Sequence, residues 1–451
     1  MKGYCIQNFG CRAAQADGAA IERQLADLGM SRVEDAGQAQ IVVLNTCTVT
    51  SAADQDARAA IRRTHRQQPD AKILVTGCYA QRAPQEIAAL DGVTWVVGNS
   101  HKNQIGNLVA GSPALDFVPV SSLGNISPDL AGGDFVPKIY ASDIFAHTEL
   151  QAAPVFDGIE RTRANLKVQD GCDNRCSFCV IPFVRGQSRS LPIDKAIREI
   201  DALERSGYRE IVISGINLGR WGRDFSPQKR FIDLLNCLLE RTFFAKLRLS
   251  SVEPMDWTEE LIALTASCSG ICKHAHVPLQ SGSDPVLRKM HRKYRPWHYA
   301  EKIEKIRALM PTAAIGADVM VGFPGETDEL FEESHRFIES LPFTYLHVFT
   351  YSPRPNTSAA AMPGQVPLHV ARERNRILRA LSAEKNLKFR RGFVGKTLDA
   401  LTLSRTNGDE TEALSDNYLK IRVGGTHQSN RFVKVHINRV SNDGLLAELA
   451  H

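Results

Sequence analysis

Over its first hundred residues the chain alternates short apolar runs with stretches of helical period. GYCIQNFG, IVVLNT, KILVTG and VTWVVG read as strands, while DGAAIERQLADLG, AADQDARAAIRRTHRQ and a segment near 84–90 space their apolar residues as one buried helix face does. Strands alternating with helices predict an open parallel α/β sheet. A second series runs through NLKVQDG, EIVISG (210–215), KLRLSS (246–251), KHAHVPL (273–279), AIGADVMVGF (314–323) and TYLHVFTYS (344–352). Six strand–helix repeats predict a partial (β/α)6 barrel, open on one side, with its chemistry at the C-terminal strand ends. The tail changes character again: TLDALTL, YLKIRVGG and RFVKVHINRV are short strands between polar turns, which predicts a small all-β barrel. Between about 104 and 160 the periodicity fades and five prolines accumulate, as in a linker. The expected α/β organisation is therefore an N-terminal sheet domain at 1–110, a linker at 111–160, a barrel domain at 161–388 and a terminal β module at 389–451.

Composition bounds this picture without changing it. The chain has 451 residues, 43% hydrophobic and 23% charged, enough for several cored domains. No run of about twenty apolar residues is present to span a membrane, and MKGYCIQNFG lacks the basic and apolar stretches of an export signal. The expectation is a cytoplasmic protein with reduced thiols and no membrane partner. The net charge is only +5, but RKMHRKYRP (288–296) holds five Lys or Arg, and RERNRILRALSAEKNLKFRR (372–391) holds eight against two acids. Each run alone reads equally well as a solvated face; two together favour a polyanionic partner.

The cysteines carry the chemistry. QDGCDNRCSFCVIPFVRG puts Cys172, Cys176 and Cys179 into eight residues with no fourth cysteine nearby. A closed zinc site needs four ligands, and ten cysteines in so long a chain do not make a disulfide scaffold. Three thiolates suit an iron–sulfur cluster with one iron left open, and a structural zinc site is the second reading. Cys11, Cys47 and Cys78 fall at the ends of the first three predicted strands, the rim where open α/β sheets bind ligands. Cys5 reads as packing inside the first strand, and Cys237, Cys268 and Cys272 as core or incidental.

C-x3-C-x2-C with the aromatic Phe178 before its last cysteine resembles the signature of radical S-adenosylmethionine enzymes. In those enzymes the amino and carboxylate groups of S-adenosylmethionine hold the fourth iron. Nearly the whole chain resembles their methylthiotransferase family, through NFGC, LNTCTVT, VTGC, QDGCDNRCSFC, SGINLGRWG, LSSVEP, HVPLQSGS, VGFPGET and YSPRPNT. The resemblance implies two [4Fe–4S] clusters, one on Cys11, Cys47 and Cys78 and one on Cys172, Cys176 and Cys179. It also implies S-adenosylmethionine as radical source and methyl donor, a sulfur donor and a cellular electron donor. Gly215, Asn217, Ser251 and Glu253 would lie near S-adenosylmethionine, with Gln280 and Asp318 as weaker candidates. Gly322, Pro324 and Gly325 would shape a turn.

Within the family the chain looks most like the MtaB group, which modifies C2 of N6-threonylcarbamoyladenosine beside the tRNA anticodon. The alternatives are the MiaB group, acting on the isopentenyl analogue, and the RimO group, acting on a ribosomal-protein aspartate; Arg354 in YSPRPNT leans toward the tRNA groups. From another class, a non-catalytic iron–sulfur sensor or RNA-binding protein is opposed by the presence of all six cysteines. Ala14 departs from the family, which often has Asn there. The β module resembles a TRAM domain, an RNA-contacting barrel, although its seven basic and seven acidic residues balance. Arg372, Arg376 and Arg379, at i, i+4 and i+7, are therefore the expected contacts to an anticodon stem-loop.

Overall fold

A computed structural model describes residues 3–111, 137–147, 150, 162–241 and 246–450. Its contacts divide the chain into one unit of Met1–His147 with Phe183–Gly186 and another of Thr148–Pro182 with Gln187–His451. Among the described residues no helix is long and apolar enough to cross a membrane.

The first unit is a six-stranded sheet in which every pair is parallel. It contains β1 (Gly3–Asn8), β2 (Ser31–Arg32), β3 (Ile41–Thr46), β4 (Lys72–Gly77), β5 (Val93–Gly98) and β6 (Lys138–Tyr140), in the order β2-β1-β3-β4-β5-β6. Alternate residues of the central strands serve two different cores. Val42, Leu44, Ile73, Val75 and Val96 pack with Ala57, Ile61 and Ile87, whereas Ile41, Val43, Leu74 and Val97 pack with Ile21, Leu25, Ile105 and Leu108. A sheet buried on both faces explains why its strands read as unbroken apolar runs rather than as an alternation. The edge strand β6 falls inside the stretch 111–160 expected as linker. Within that stretch 112–136, 148–149 and 151–160 lie outside the described residues.

In the second unit, β7 (Ala164–Lys167) leads into a short antiparallel pair, β8 (Gln169–Asp170) with β9 (Arg189–Ser190). The barrel strands that follow are β10 (Glu210–Ser214), β11 (Lys246–Leu249), β12 (His274–His276), β13 (Ala314–Val321) and β14 (Tyr345–Thr350). β11-β10-β7 and β12-β13-β14 are parallel sheets joined by bridges at Leu247–Ile271 and Ser251–His276, which leaves β7 and β14 as edges of an open barrel. Residues such as Leu166, Ile211, Leu247, Ala275, Ile315 and Leu346 pack outward into one core. Lys167, Glu210, Arg248, His274, His276 and Asp318 alternate with such residues and stand on the other face.

The C-terminal strands close on themselves. β15 (Thr397–Asn407), β16 (Glu410–Ser415), β17 (Lys420–Gly424), β18 (Phe432–Val440) and β19 (Leu445–Leu449) form a barrel in the order β15-β16-β17-β19-β18. β16 and β19 add to the three strands read from the sequence. ETEALS carries two acids and LLAEL is short, so neither stands out as an apolar run.

The turn between β16 and β17 covers the starts of the open-barrel strands. Arg248, 1% exposed, donates to both Glu210 oxygens at 2.8 and 2.9 Å and to the carbonyls of Ser415 and Asp416 at 3.1 and 3.0 Å. Tyr418 places its ring 4.6 Å from that of His274 and 5.2 Å from the Arg248 guanidinium. Although burial opposes it, Arg248 and Arg163 hold the Glu210 carboxyl below the ordinary carboxylate range. Its contribution is in force at neutral pH and is lost as the pH falls below that range, because the depressed carboxyl must then take a proton. Glu210→Gln is expected to destabilise the second unit by about 3–5 kcal/mol, since it leaves the Arg248 charge buried without its carboxylate. Urea denaturation followed by circular dichroism measures this.

Candidate functional site

Each N-terminal cysteine is delivered by the end of a parallel strand. Cys11 caps the helix Arg12–Asp27 shortly after β1, Cys47 follows β3 directly, and Cys78 follows β4 and opens the helix Cys78–Arg82. Two glycines make the approach possible. Gly10, at φ 111°, leaves no room for a Cβ, which would lie 2.8 Å from that of Cys47; at Gly77, φ 95°, one would lie 2.4 Å from the Thr46 carbonyl. Burial pushes the Cys47 thiol up to about 11, with Cys78 and Cys11 adding to it; burial also raises Cys78, opposed chiefly by Arg185.

The surroundings of this triad are polar and ordered. Asn99 donates to Cys78 Sγ at 3.6 Å and to the Val184 carbonyl at 2.8 Å. Buried Asp17 accepts from Arg185 at 3.0 Å and from Lys102 at 2.8 Å. At Ala14 the polar contact is made by the backbone, whose carbonyl accepts from Asn45 at 2.6 Å.

In the second unit Cys172, Cys176 and Cys179 lie on the loop after β8, pinned by Ser177, which donates to the carbonyls of Met290 and Lys289 at 3.2 and 2.7 Å. Gln169, fully buried, ties the start of this loop to the turn after β10: its amide donates to the Gly171 carbonyl at 2.8 Å and accepts from the Asn217 N–H at 2.7 Å. A Cβ at Gly215 would press on Gln169 at 3.0 Å. Asn217 donates to Cys172 Sγ at 3.5 Å. Arg292 donates to Cys176 Sγ at 3.2 Å and pairs with Glu253. Burial raises the Cys172 thiol, pushes Cys179 up to about 12 and lifts the Glu253 carboxyl.

The expected cofactor residues thus separate into groups. Asn217 and, through Arg292, Glu253 stand with the cysteines; Glu253, Arg292, Cys176, Asn174 and Tyr294 line a small, narrow cleft. Ser251 and Asp318 belong to another cluster, joined by His276, which shares a 2.8 Å hydrogen bond with Ser251 and lies 3.4 Å from the Asp318 carboxylate. Gln280, at φ 69°, is tied through its backbone to Asp318 and Met320. Phe178 packs edge-on to Phe323 at 6.4 Å. No local pattern points to Gln169, His276 or Asn99, and Arg292 lies inside the basic run 288–296, whose composition predicts a solvated face or a polyanion contact rather than a buried ion pair.

That run is largely committed elsewhere. Arg288 and Arg295 pair with Asp284, and Arg292 is buried. In the helix Leu368–Arg391, Arg374 is buried on Glu326 and Asp328, and Lys385 and Arg390 bond to carbonyls. Arg372, Arg376 and Arg379 are exposed, with Arg376 paired to Glu373.

Both triads suit a cluster bound by three thiolates. Among the described residues no three His, Cys, Asp or Glu converge on one ion position, and a cubane does not require it, because each iron takes its own thiolate. Asn217 Oδ1 is buried without a hydrogen-bond partner beside Cys172, an acceptor that suits the amino group of S-adenosylmethionine.

Residues 3–98 match the Uncharacterized protein family UPF0004, and residues 166–338 match the Radical SAM superfamily. The threonylcarbamoyladenosine tRNA methylthiotransferase MtaB of Bacillus subtilis is 36% identical over 97% of this chain and 94% of its own length. The Aquifex aeolicus protein of the same name is 33% identical over 96% and 99%. A tRNA-2-methylthio-N(6)-dimethylallyladenosine synthase of Syntrophobacter fumaroxidans is 32% identical over 91% and 88%. Among solved structures, the radical S-adenosylmethionine methyltransferase TsrM of Kitasatospora setae superposes with a TM-score of 0.53 at 15% identity, over 80% of this chain and 75% of that one, a likeness of fold.

Proposed function

The chain belongs to the methylthiotransferase family of radical S-adenosylmethionine enzymes and is most like its MtaB group, and from that premise we propose that it inserts a methylthio group at C2 of N6-threonylcarbamoyladenosine next to the tRNA anticodon. The observation that carries this reading is the pair of separate thiol triads, one at the strand ends of the first unit and one on the loop after β8. When bound, two [4Fe–4S] clusters and S-adenosylmethionine would supply one-electron chemistry able to act at an unactivated aromatic carbon, together with the methyl group.

The chain's own residues position and shield. Asn217 and Arg292 direct donors at Cys172 and Cys176, which fixes the position of those sulfurs. Glu253 holds Arg292 in place, and Asn217 Oδ1, beside Cys172, accepts from the amino group of S-adenosylmethionine. Arg372, Arg376 and Arg379 contact the phosphates of the anticodon stem-loop.

The B. subtilis and A. aeolicus relatives favour the threonylcarbamoyl substrate over the dimethylallyl one named for the S. fumaroxidans relative. Nucleoside analysis of tRNA from cells with and without the gene tests this. Loss of the methylthio group from threonylcarbamoyladenosine alone is the expected result; loss from the isopentenyl nucleoside instead would reject the proposed base.

A further inference from the structure

The cluster of Ser251, His276 and Asp318 touches none of the cysteines and has an open neighbour. Asp318 pairs in register with His347 across β13 and β14, and the His347 ring lies 5.5 Å from that of His276. Ala317, Val319 and Leu346 pack into the outer core, so Asp318 and His347, which alternate with them, stand on the inner face of the sheet. Tyr345 and Phe349 share that face of β14.

The inner face is closed at one end and open at the other. At the closed end the rings of Tyr418 and Tyr345 lie 4.6 and 6.0 Å from that of His274. Further along β14, an edge of the open barrel, His347 is exposed and Phe349 is 47% exposed. A bare apolar ring on a concave face suits a planar ligand such as a nucleobase. His276 Nε2, by contrast, is buried, lies 3.4 Å from the Asp318 carboxylate and makes no hydrogen bond. Such a group is costly unless a ligand pairs it.

We infer that His347 and Asp318 recognise the N6 substituent of the target adenine and select a polar, acidic substituent over an alkyl one. A threonylcarbamoyl group brings a carboxylate for the His347 imidazole, together with N–H and O–H donors for Asp318. A neutral imidazole donates one N–H to that carboxylate, and a protonated one adds its charge. A dimethylallyl group brings neither kind of partner and leaves the carboxylate of Asp318 desolvated and unpaired. The inference rests on the reading that this chain modifies threonylcarbamoyladenosine in tRNA, and it names the residues that choose that base.

The test uses the full chain and three synthetic anticodon stem-loops that differ only at the target adenosine: threonylcarbamoylated, dimethylallylated and unmodified. Fluorescence anisotropy gives the three dissociation constants, and the phosphate contacts common to all loops cancel in their ratios. The parent should bind the threonylcarbamoyl loop about ten- to 100-fold more tightly than the dimethylallyl loop. His347→Leu and Asp318→Ala should each remove about tenfold of that preference while binding the unmodified loop as the parent does. His347→Gln, which keeps an N–H but no charge, should lie between His347→Leu and the parent; if His347→Leu fails to fold by circular dichroism, His347→Gln decides. Folded variants that keep the parent's ratio, or that lose affinity equally for all three loops, would overturn the subsite. A parent that fails to prefer the threonylcarbamoyl loop would instead overturn the reading of the base.

Discussion

Replacing Cys172, Cys176 and Cys179 together by alanine is expected to abolish reductive cleavage of S-adenosylmethionine and to halve the iron of the anaerobically reconstituted protein, from about eight to about four per chain. The effect is all or none because, on the proposed assignment, the electron comes from a cluster on these three thiols; Arg292 and Asn217 only donate to Cys176 and Cys172, and Glu253 only holds Arg292. Formation of 5′-deoxyadenosine under dithionite, with iron counted in parallel, reads both quantities. A triple variant that still makes 5′-deoxyadenosine would sink the assignment of this loop.

The complementary variant separates the two halves of the reaction. With Cys11, Cys47 and Cys78 replaced by alanine, 5′-deoxyadenosine formation should persist while methylthiolated tRNA disappears, because the sulfur has lost its iron but the radical site is intact. The two sets of thiols are carried by different units of the chain, so one can be emptied without removing a ligand from the other. Iron should again fall to about four per chain. Methylthiolated product at the parent rate would make the N-terminal cysteines structural.

What could be read from the sequence follows from which interactions are periodic. β1, β3, β4 and β5 are legible as apolar runs because helices bury both their faces, which also marks Cys11, Cys47 and Cys78 as strand ends, and the six barrel strands are legible as short runs whose apolar residues pack outward on one face. β16 and β19 were not, since a strand in a small closed barrel buries one face and alternates too briefly to stand out. β6 was hidden in proline-rich sequence. The site shows the same division. Three thiols in eight residues announce themselves, but Arg292 looks like surface charge until its burial and its contacts with Cys176 and Glu253 are known. Asn99, Gln169 and His276 act through partners dozens of residues away, and no local pattern marks such residues.

The turn that reaches from the C-terminal barrel to Arg248 also limits how freely that barrel can be exchanged. A chimera that kept residues up to about 390 and borrowed an RNA-binding barrel from elsewhere would strip the Ser415 and Asp416 carbonyls and the Tyr418 ring from a buried guanidinium. A successful graft would have to transplant the turn with its host surface. In related chains positions 210, 248, 274 and 415–418 should accordingly drift together, as one inherited joint rather than as the property of either domain.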